Sequence, residues 1–130
     1  MKKADLEKIK KIFASFKEVK LVYFFGSQAR GQAGALSDFD FAVFLEEKDR
    51  KKIFQIRTSL MDKIGRLLKT DKVDIVVLNI TESPELKYNI ITQGKIIFER
   101  DLYRVVVEPR ILTEYFDFRL MLKKYNFTKD

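Results

Sequence analysis

The sequence predicts a mixed α/β (α+β) domain in which a sheet of about four strands is flanked by helices. Segments with helical spacing of apolar residues alternate with short β-branched and aromatic runs, and no repeat, low-complexity tract or linker interrupts them. A length of 130 residues suits one domain, and 46% apolar with 35% charged residues is typical of a globular protein. We therefore expect a single domain over 1–130, with a helical C-terminal segment over 102–130.

The first half of the chain predicts a helix, a strand, a turn and a second strand. Apolar residues recur at helical spacing over about 5–17, and Asp5 is placed to cap the start of that helix. The run 21–25 is β-branched and aromatic and too short for a helix, which predicts a buried strand. Two glycines within 28–37 favour a short helical turn followed by a loop. Alternating residue character over 38–45 predicts the second strand.

The second half of the chain predicts a helix, a strand, a helix, a strand and a helix, over about 49–69, 73–80, 84–94, 95–99 and 102–126. Ser83-Pro84 opens the middle helix, with proline in its first turn. Pro109 is expected to start, kink or break the last helix, because proline lacks the N–H that a helix interior requires.

The chain contains no cysteine and no histidine. This composition excludes disulfides, Cys/His zinc sites, imidazole bases and nucleophile pairs that depend on histidine. Catalysis would have to use carboxylates, hydroxyls, basic side chains, backbone groups and a bound metal. The net charge of +7 favours an anionic ligand or partner without identifying one.

No targeting or membrane segment is expected. Charged residues from Asp5 to Lys11 interrupt the apolar stretch that a signal peptide would need after Met1. No apolar run approaches the roughly 18 residues that span a bilayer. We therefore expect a cytoplasmic protein without a membrane partner.

Gly26-Ser27 directly follows the first predicted strand. Glycine there allows the backbone to approach a ligand closely, and amides at the start of the next turn could bind phosphate. The Ser27 hydroxyl adds a donor. By themselves these two residues are more often only a turn.

Asp38 and Asp40 lie at the start of the second predicted strand. Because side chains two apart in a strand share a face, both carboxylates should project together, with Phe39, Phe41 and Val43 on the opposite, core face. Two adjacent carboxylates repel, and a divalent cation between them would relieve the repulsion. For an isolated Asp-x-Asp, a solvated strand end is the simpler interpretation.

Asp74 lies within the apolar run of the third predicted strand. Burying a carboxylate there is unfavourable unless another group pairs with it. That group could be a metal shared with Asp38 and Asp40, or a lysine such as Lys72 or Lys95.

Together, Gly26-Ser27, ten residues, Asp38-x-Asp40 and a third aspartate on a later strand resemble the nucleotidyltransferase superfamily with the polymerase-β-like fold. The resemblance covers about the first hundred residues and includes Arg30-Gly31. The short length and the segment 84–101 are similar to minimal nucleotidyltransferases, the MNT antitoxins paired with HEPN toxins. The chain departs from the family pattern at Leu36, before Ser37, and at Phe39, and neither position is a metal ligand.

The resemblance implies two Mg²⁺ ions, or Mn²⁺, among Asp38, Asp40 and Asp74, with ATP bound across them. Asp38 and Asp40 would bridge the ions, and Asp74 would help to deprotonate the attacking hydroxyl. Gly26 and Ser27 would hold the leaving phosphates. Arg30 would contact phosphate or pair with a surface carboxylate.

The family further implies AMP transfer from ATP to a tyrosine of a cognate HEPN ribonuclease toxin. That ribonuclease needs a histidine, so the toxin would be a separate chain. The tail aromatics are expected in the core or at the toxin interface, and they are Tyr115, Phe116, Phe118, Tyr125 and Phe127. The oligomeric state stays open between a homodimer and a hetero-oligomer.

Three alternative functions remain at this stage. One is a nucleotidyltransferase that acts on a small molecule or RNA, although 130 residues leave little room for a substrate domain. The second is an inactive module that neutralises a toxin by binding alone, which would not need the three aspartates. Direct nucleic-acid binding is disfavoured because basic and acidic residues are interspersed.

Overall fold

The structure is a computed structural model that describes residues 1–31 and 38–125. Leu36, Ser37 and Phe127, which the sequence singled out, lie outside the described residues. The predicted order of helices and strands is confirmed, with the elements α1 (Lys3–Ala14), β1 (Val19–Phe25), α2 (Gly26–Ala29), β2 (Phe39–Leu45), α3 (Arg50–Leu68), β3 (Val73–Val77), α4 (Pro84–Gln93), β4 (Lys95–Glu99) and α5 (Tyr103–Lys124).

The four strands form one mixed sheet in the order β3-β2-β1-β4. β1 lies antiparallel to both β2 and β4, whereas β2 and β3 are parallel. A parallel pair needs a long crossover, and α3 supplies it between β2 and β3. The C-terminal end of β1 therefore meets the N-terminal ends of β2 and β3 at one end of the sheet.

Helices cover both faces of the sheet. α1 and α3 pack on one face, around a core that includes Phe13, Phe41 and Leu60, each with no exposed surface. α4 and α5 pack on the other face, over a smaller apolar cluster. The alternation predicted for β2 is confirmed: Phe41 and Val43 are buried under α1 and α3, and Phe39 is partly buried against the same cluster.

Two predicted helix starts are confirmed by their caps. The Asp49 side chain accepts a hydrogen bond from the amide of Lys51 before α3. The Ser83 hydroxyl accepts one from the amide of Leu86 before α4, and Pro84 stands in the first turn. Both are the short polar residues that satisfy free amides at helix starts.

The predicted cap of α1 is wrong. The helix begins at Lys3, with Lys2 at the cap position and no side-chain cap, and Asp5 falls within the first turn. The carboxylate still favours the helix there, because it lies near the positive end of the helix dipole.

β3 ends at Val77, three residues before the predicted end at Ile80. The amides of Ile80 and Thr81 both donate to the carbonyl of Val77, which closes a turn. Leu78 is only 3% exposed, so this turn is as apolar as the strand that precedes it. The predicted strand was too long because the residues of this buried turn continue the apolar run of β3.

α5 continues through Pro109, so the prediction that this residue starts or breaks the helix is wrong. The helix is apolar on two sides. Val107 and Ile111 are buried against the sheet, whereas Phe116 is 54% and Leu120 66% exposed. A helix that is apolar on both sides contributes to the core and also presents an apolar surface outwards.

The described tail aromatics divide between core and surface. Tyr115 is partly buried and stacks on Tyr88 of α4, with ring centroids 3.8 Å apart. Phe118 is also partly buried, and Tyr125 is 58% exposed. No helix in the described ranges is long and apolar enough to cross a membrane.

Candidate active site

Two of the three predicted aspartates are direct neighbours in the sheet. Asp40 of β2 pairs in register with Asp74 of β3 on one side and with Phe25 of β1 on the other. Residues in register on parallel strands share a face and lie roughly 4.8 Å apart between strands. Asp38 immediately precedes β2 and is exposed. The structure therefore brings the three carboxylates to one end of the sheet.

The carboxylates are on the side of the sheet that α4 and α5 cover. Successive side chains of β2 point to opposite faces, so Asp40 points away from Phe41 and to the same side as Ala42. Ala42 lies in the cluster beneath α4 and α5. Asp40 is half-buried, and the Asp74 side chain is 48% exposed. The group is therefore open enough to admit a ligand, yet partly shielded from water.

Burial raises the pKa of the Asp40 carboxyl, and the negative charges of Asp38 and then Asp74 raise it further. Each of these effects disfavours the ionised form. A cation bound among the carboxylates would remove the repulsion, and carboxylate oxygens are ligands that suit Mg²⁺ and Mn²⁺. The chemistry of the donor set fits a divalent metal.

Gly26 packs directly against Asp40. Its φ of +81° lies in the left-handed region, and a Cβ at this position would overlap the Asp40 carboxylate oxygen Oδ2. Only glycine meets both requirements without strain. The turn that follows β1 is thereby held close to the aspartates.

Ser27 and Arg30 occupy opposite ends of the short helix α2. Ser27 is its second residue and is half-buried, next to the contact of Gly26 with Asp40. Arg30 follows the helix and is exposed. A role in phosphate binding stays a prediction for both residues.

The partner of Asp74 is an arginine that the sequence analysis missed. Arg57 of α3 donates from Nη2 to Asp74 Oδ1 at 3.0 Å and from Nε to the carbonyl of Ile75 at 2.7 Å. The lysines considered as an alternative to a metal, Lys72 and Lys95, do not make this contact within the described residues. Position 57 is four residues after Ile53 and borders the apolar stripe of α3. This spacing was the sequence feature that could have indicated an arginine close to the sheet.

The three carboxylates do not already converge as metal ligands. Within residues 1–31 and 38–125, no group of three acidic side chains has the geometry of a metal site. Asp74 Oδ1 is engaged by Arg57, so the second oxygen of Asp74 is the one left for a cation. A bound metal would draw on Asp38 and Asp40 first.

This combination of a mixed sheet, a glycine turn after β1 and aspartates on β2 and β3 is typical of nucleotidyl-transfer enzymes. Residues 7–103 match the family described as Polymerase beta, Nucleotidyltransferase. The chain therefore belongs to this family and is a nucleotidyltransferase.

Two relatives and one solved structure make the comparison more specific. The chain is 36% identical over 86 residues, 65% of its length and 83% of the relative's, to a Methanocaldococcus jannaschii protein provisionally named a protein adenylyltransferase. It is 31% identical over 88 residues, 62% of its length, to protein adenylyltransferase MntA of Aphanizomenon flos-aquae. The match covers 57% of that relative, somewhat over half of its length.

The solved structure is a tri-AMPylated Shewanella oneidensis HEPN toxin in complex with MNT antitoxin. One chain of that complex matches the present chain with a TM-score of 0.72 at 23% identity. The match covers 96% of the present chain and 95% of the matched chain. At this identity the match establishes the shared fold.

Proposed function

We propose that this nucleotidyltransferase transfers AMP from ATP to a tyrosine hydroxyl of a HEPN ribonuclease toxin and so acts as its antitoxin. The proposal treats 1–130 as one minimal nucleotidyltransferase domain. The observation that carries it is the meeting of Asp38, Asp40 and Asp74 with the Gly26 turn at one end of the sheet.

The residues of this site divide into two roles. Asp38 and Asp40, with Asp74 beside them, would hold one or two divalent cations. Gly26 and Ser27 would hold the phosphates of ATP through their backbone and hydroxyl groups, because amides at the start of a helical turn attract anions. The left-handed Gly26 allows this approach.

Bound divalent cations would neutralise charge on the triphosphate and lower the pKa of the attacking hydroxyl. The tyrosine oxygen would form a bond to the α-phosphorus of ATP as the bond to the bridging oxygen breaks and pyrophosphate leaves. Asp74 lies next to Asp40 and would help to remove the tyrosine proton. This route requires no histidine, in agreement with the composition.

Two further observations support a protein acceptor. Both relatives are named protein adenylyltransferases, and the solved structure with the same fold is a toxin–antitoxin complex. In addition, α5 exposes Phe116 and Leu120 on its outer side, and exposed apolar side chains of this kind favour protein contacts.

The test is incubation of the protein with Mg²⁺, the HEPN protein from the neighbouring gene, and ATP labelled at either the α- or the γ-phosphate. We expect label from α-labelled ATP on a tyrosine of the partner and none from γ-labelled ATP, because pyrophosphate leaves. Label from the γ-position would instead indicate phosphoryl transfer and would contradict the proposal.

A tight complex without any label would favour an inactive binding module. Label on a small molecule or RNA, with none on the partner, would indicate a different acceptor. Both results contradict the proposed reaction while leaving the family unchanged.

A further inference from the structure

We propose that Arg57 is a positioning residue that orients the Asp74 carboxylate for cation binding. The proposal rests on the proposed function, because it concerns the third carboxylate of the same site. Its basis is a pair of hydrogen bonds that reach around the open edge of the sheet.

Arg57 belongs to the helix layer on the opposite side of the sheet from the carboxylates. Val73 and Ile75 of β3 pack in the core beneath α1 and α3, so Asp74 between them faces the other way. β3 is the last strand in the sheet order. The Arg57 side chain therefore passes around the outer edge of β3 to reach Asp74.

The two hydrogen bonds fix the guanidinium on adjacent residues of the edge strand. Nε donates to the carbonyl of Ile75 at 2.7 Å, and Nη2 donates to Asp74 Oδ1 at 3.0 Å. The planar guanidinium holds its donors at fixed angles, so anchoring Nε also sets the position of Nη2. Asp74 Oδ1 is thereby fixed, which leaves Oδ2 for a cation.

The contact is too exposed to be chiefly a stabilising ion pair. The side chain of Arg57 is 33% exposed and that of Asp74 is 48% exposed. Pairs with this exposure add little to stability, since water screens them. Residues that hold a metal ligand in place have larger effects, typically 10–100-fold on metal affinity.

Arg57 also supplies a permanent positive charge beside the aspartates. The guanidinium is positively charged and pairs with Asp74, so it partly offsets the charge of that carboxylate before any cation binds. A lysine would keep the charge but could not make both hydrogen bonds from a rigid plane. Arg57→Lys therefore separates orientation from charge.

The experiment measures Mn²⁺ binding by electron paramagnetic resonance, with an ATP analogue that cannot be cleaved between its α- and β-phosphates. The proteins are the wild type, Arg57→Met, Arg57→Lys and the matched control Arg66→Met. Arg66 lies on the same helix, its side chain is 80% exposed and it pairs with Asp62 one turn away. Melting temperatures are recorded for each variant.

We expect Arg57→Met to weaken Mn²⁺ binding about tenfold or more, Arg57→Lys to be intermediate and Arg66→Met to match the wild type. In an Asp74→Asn background, Arg57→Met should cause no further loss, because Arg57 acts through Asp74. If Arg57 acted only by holding the Ile75 carbonyl, Arg57→Met would weaken Mn²⁺ binding equally in the wild-type and the Asp74→Asn backgrounds.

Unchanged or tighter Mn²⁺ binding by Arg57→Met would overturn the proposal, as would an equal loss in the Asp74→Asn background. If Arg57→Met does not fold, Arg57→Lys decides, and wild-type affinity in that variant overturns the proposal. Absence of Mn²⁺ binding by the wild type would contradict the proposed function itself, so the two failures are distinguishable.

Discussion

The two faces of the sheet differ in what they bury. The face under α1 and α3 is almost wholly apolar and includes Phe13 and Phe41, whose rings lie 5.6 Å apart. The layer of α4 and α5 includes polar pairs: Tyr23 of β1 donates to Glu108 of α5, and Lys87 of α4 pairs with Glu114 of α5 at 2.8 Å. The face of the sheet under this layer carries Asp40. One layer of the domain thus provides stability, and the other combines core, candidate site and exposed apolar surface.

The two long helices show the same difference. α3 buries one apolar stripe, and its exposed side chains are largely charged. α5 buries Val107 and Ile111 but also exposes apolar residues along its outer side. The contrast indicates that substitutions in the first layer should change stability, whereas substitutions in the second should change activity or partner binding.

The largest effect is expected from Asp40→Asn. Loss of a cation ligand should remove several kcal/mol of transition-state stabilisation, which corresponds to a decrease in AMP transfer of about 10³-fold or more. The pKa of Asp40 is raised in the folded protein, so its ionisation opposes folding as the pH rises through that pKa. The metal-free variant should therefore melt no lower than the wild type at neutral pH.

A transfer assay and thermal denaturation in a chelator check both parts of this prediction. Asp62→Asn, a carboxylate on α3 whose side chain is 56% exposed, is the matched control and should retain full activity. Full activity in Asp40→Asn would contradict the assignment of the site.

Phe41→Ala tests the other layer. Phe41 has no exposed surface and stacks on Phe24 at 5.1 Å, so its truncation should cost about 3–5 kcal/mol in the free energy of unfolding. Denaturant unfolding measures this loss. At a temperature where the variant stays folded, its activity per folded molecule should change little. A loss of less than about 1 kcal/mol in the free energy of unfolding is roughly the contribution of one buried methylene group. A loss that small would show that Phe41 does not belong to the core.

Gly26→Ala should affect both stability and activity, because Gly26 links β1 to the site. The left-handed φ and the overlap of a Cβ with Asp40 should cost about 1–3 kcal/mol in stability. Displacement of the Asp40 carboxylate should also lower transfer activity. Gly31→Ala is the informative comparison, since Gly31 has a similar φ of +69° but no atom of the described residues lies within 4 Å of its Cβ position. Equal activity in the two variants would argue against the contact with Asp40.

The smallest change in stability is expected from Phe116→Ser. The residue is 54% exposed and its ring meets those of Tyr88 and Tyr115 edge-on, so the free energy of unfolding should fall by no more than about 1 kcal/mol. If α5 contributes to the toxin interface, affinity for the toxin should fall about tenfold or more, as for an aromatic residue at the centre of an interface. Calorimetric titration measures this affinity, and an unchanged value would place the interface elsewhere.

Local signals predicted much of the fold and of the candidate site. Ser83-Pro84 marked the start of α4, because a side-chain cap depends only on neighbouring amides. Strand alternation predicted the face of Asp40 correctly, whereas the shared face of Asp38 stays a prediction because Asp38 precedes β2. In contrast, the end of β3 could not be predicted, because Leu78 is buried in a turn and is as apolar as a strand residue.

Long-range contacts were the part that the sequence did not reveal. The register of Asp40 with Asp74 joins strands separated by the whole of α3. The contact of Arg57 with Asp74 depends on the same register and on β3 being at the edge of the sheet. Neither the register nor the contact follows from the spacing of neighbouring residues. Asp74 could therefore be proposed from the sequence, whereas its partner Arg57 could not.

AMP transfer to a protein by the site at the end of the sheet is tested most directly by mass spectrometry of the HEPN partner and of its peptides. The partner is incubated with ATP, Mg²⁺ and either the wild type or Asp40→Asn. We expect AMP adducts on tyrosine with the wild type and none with the variant. An unmodified partner with the wild type, or equal modification by both proteins, would contradict the proposed reaction.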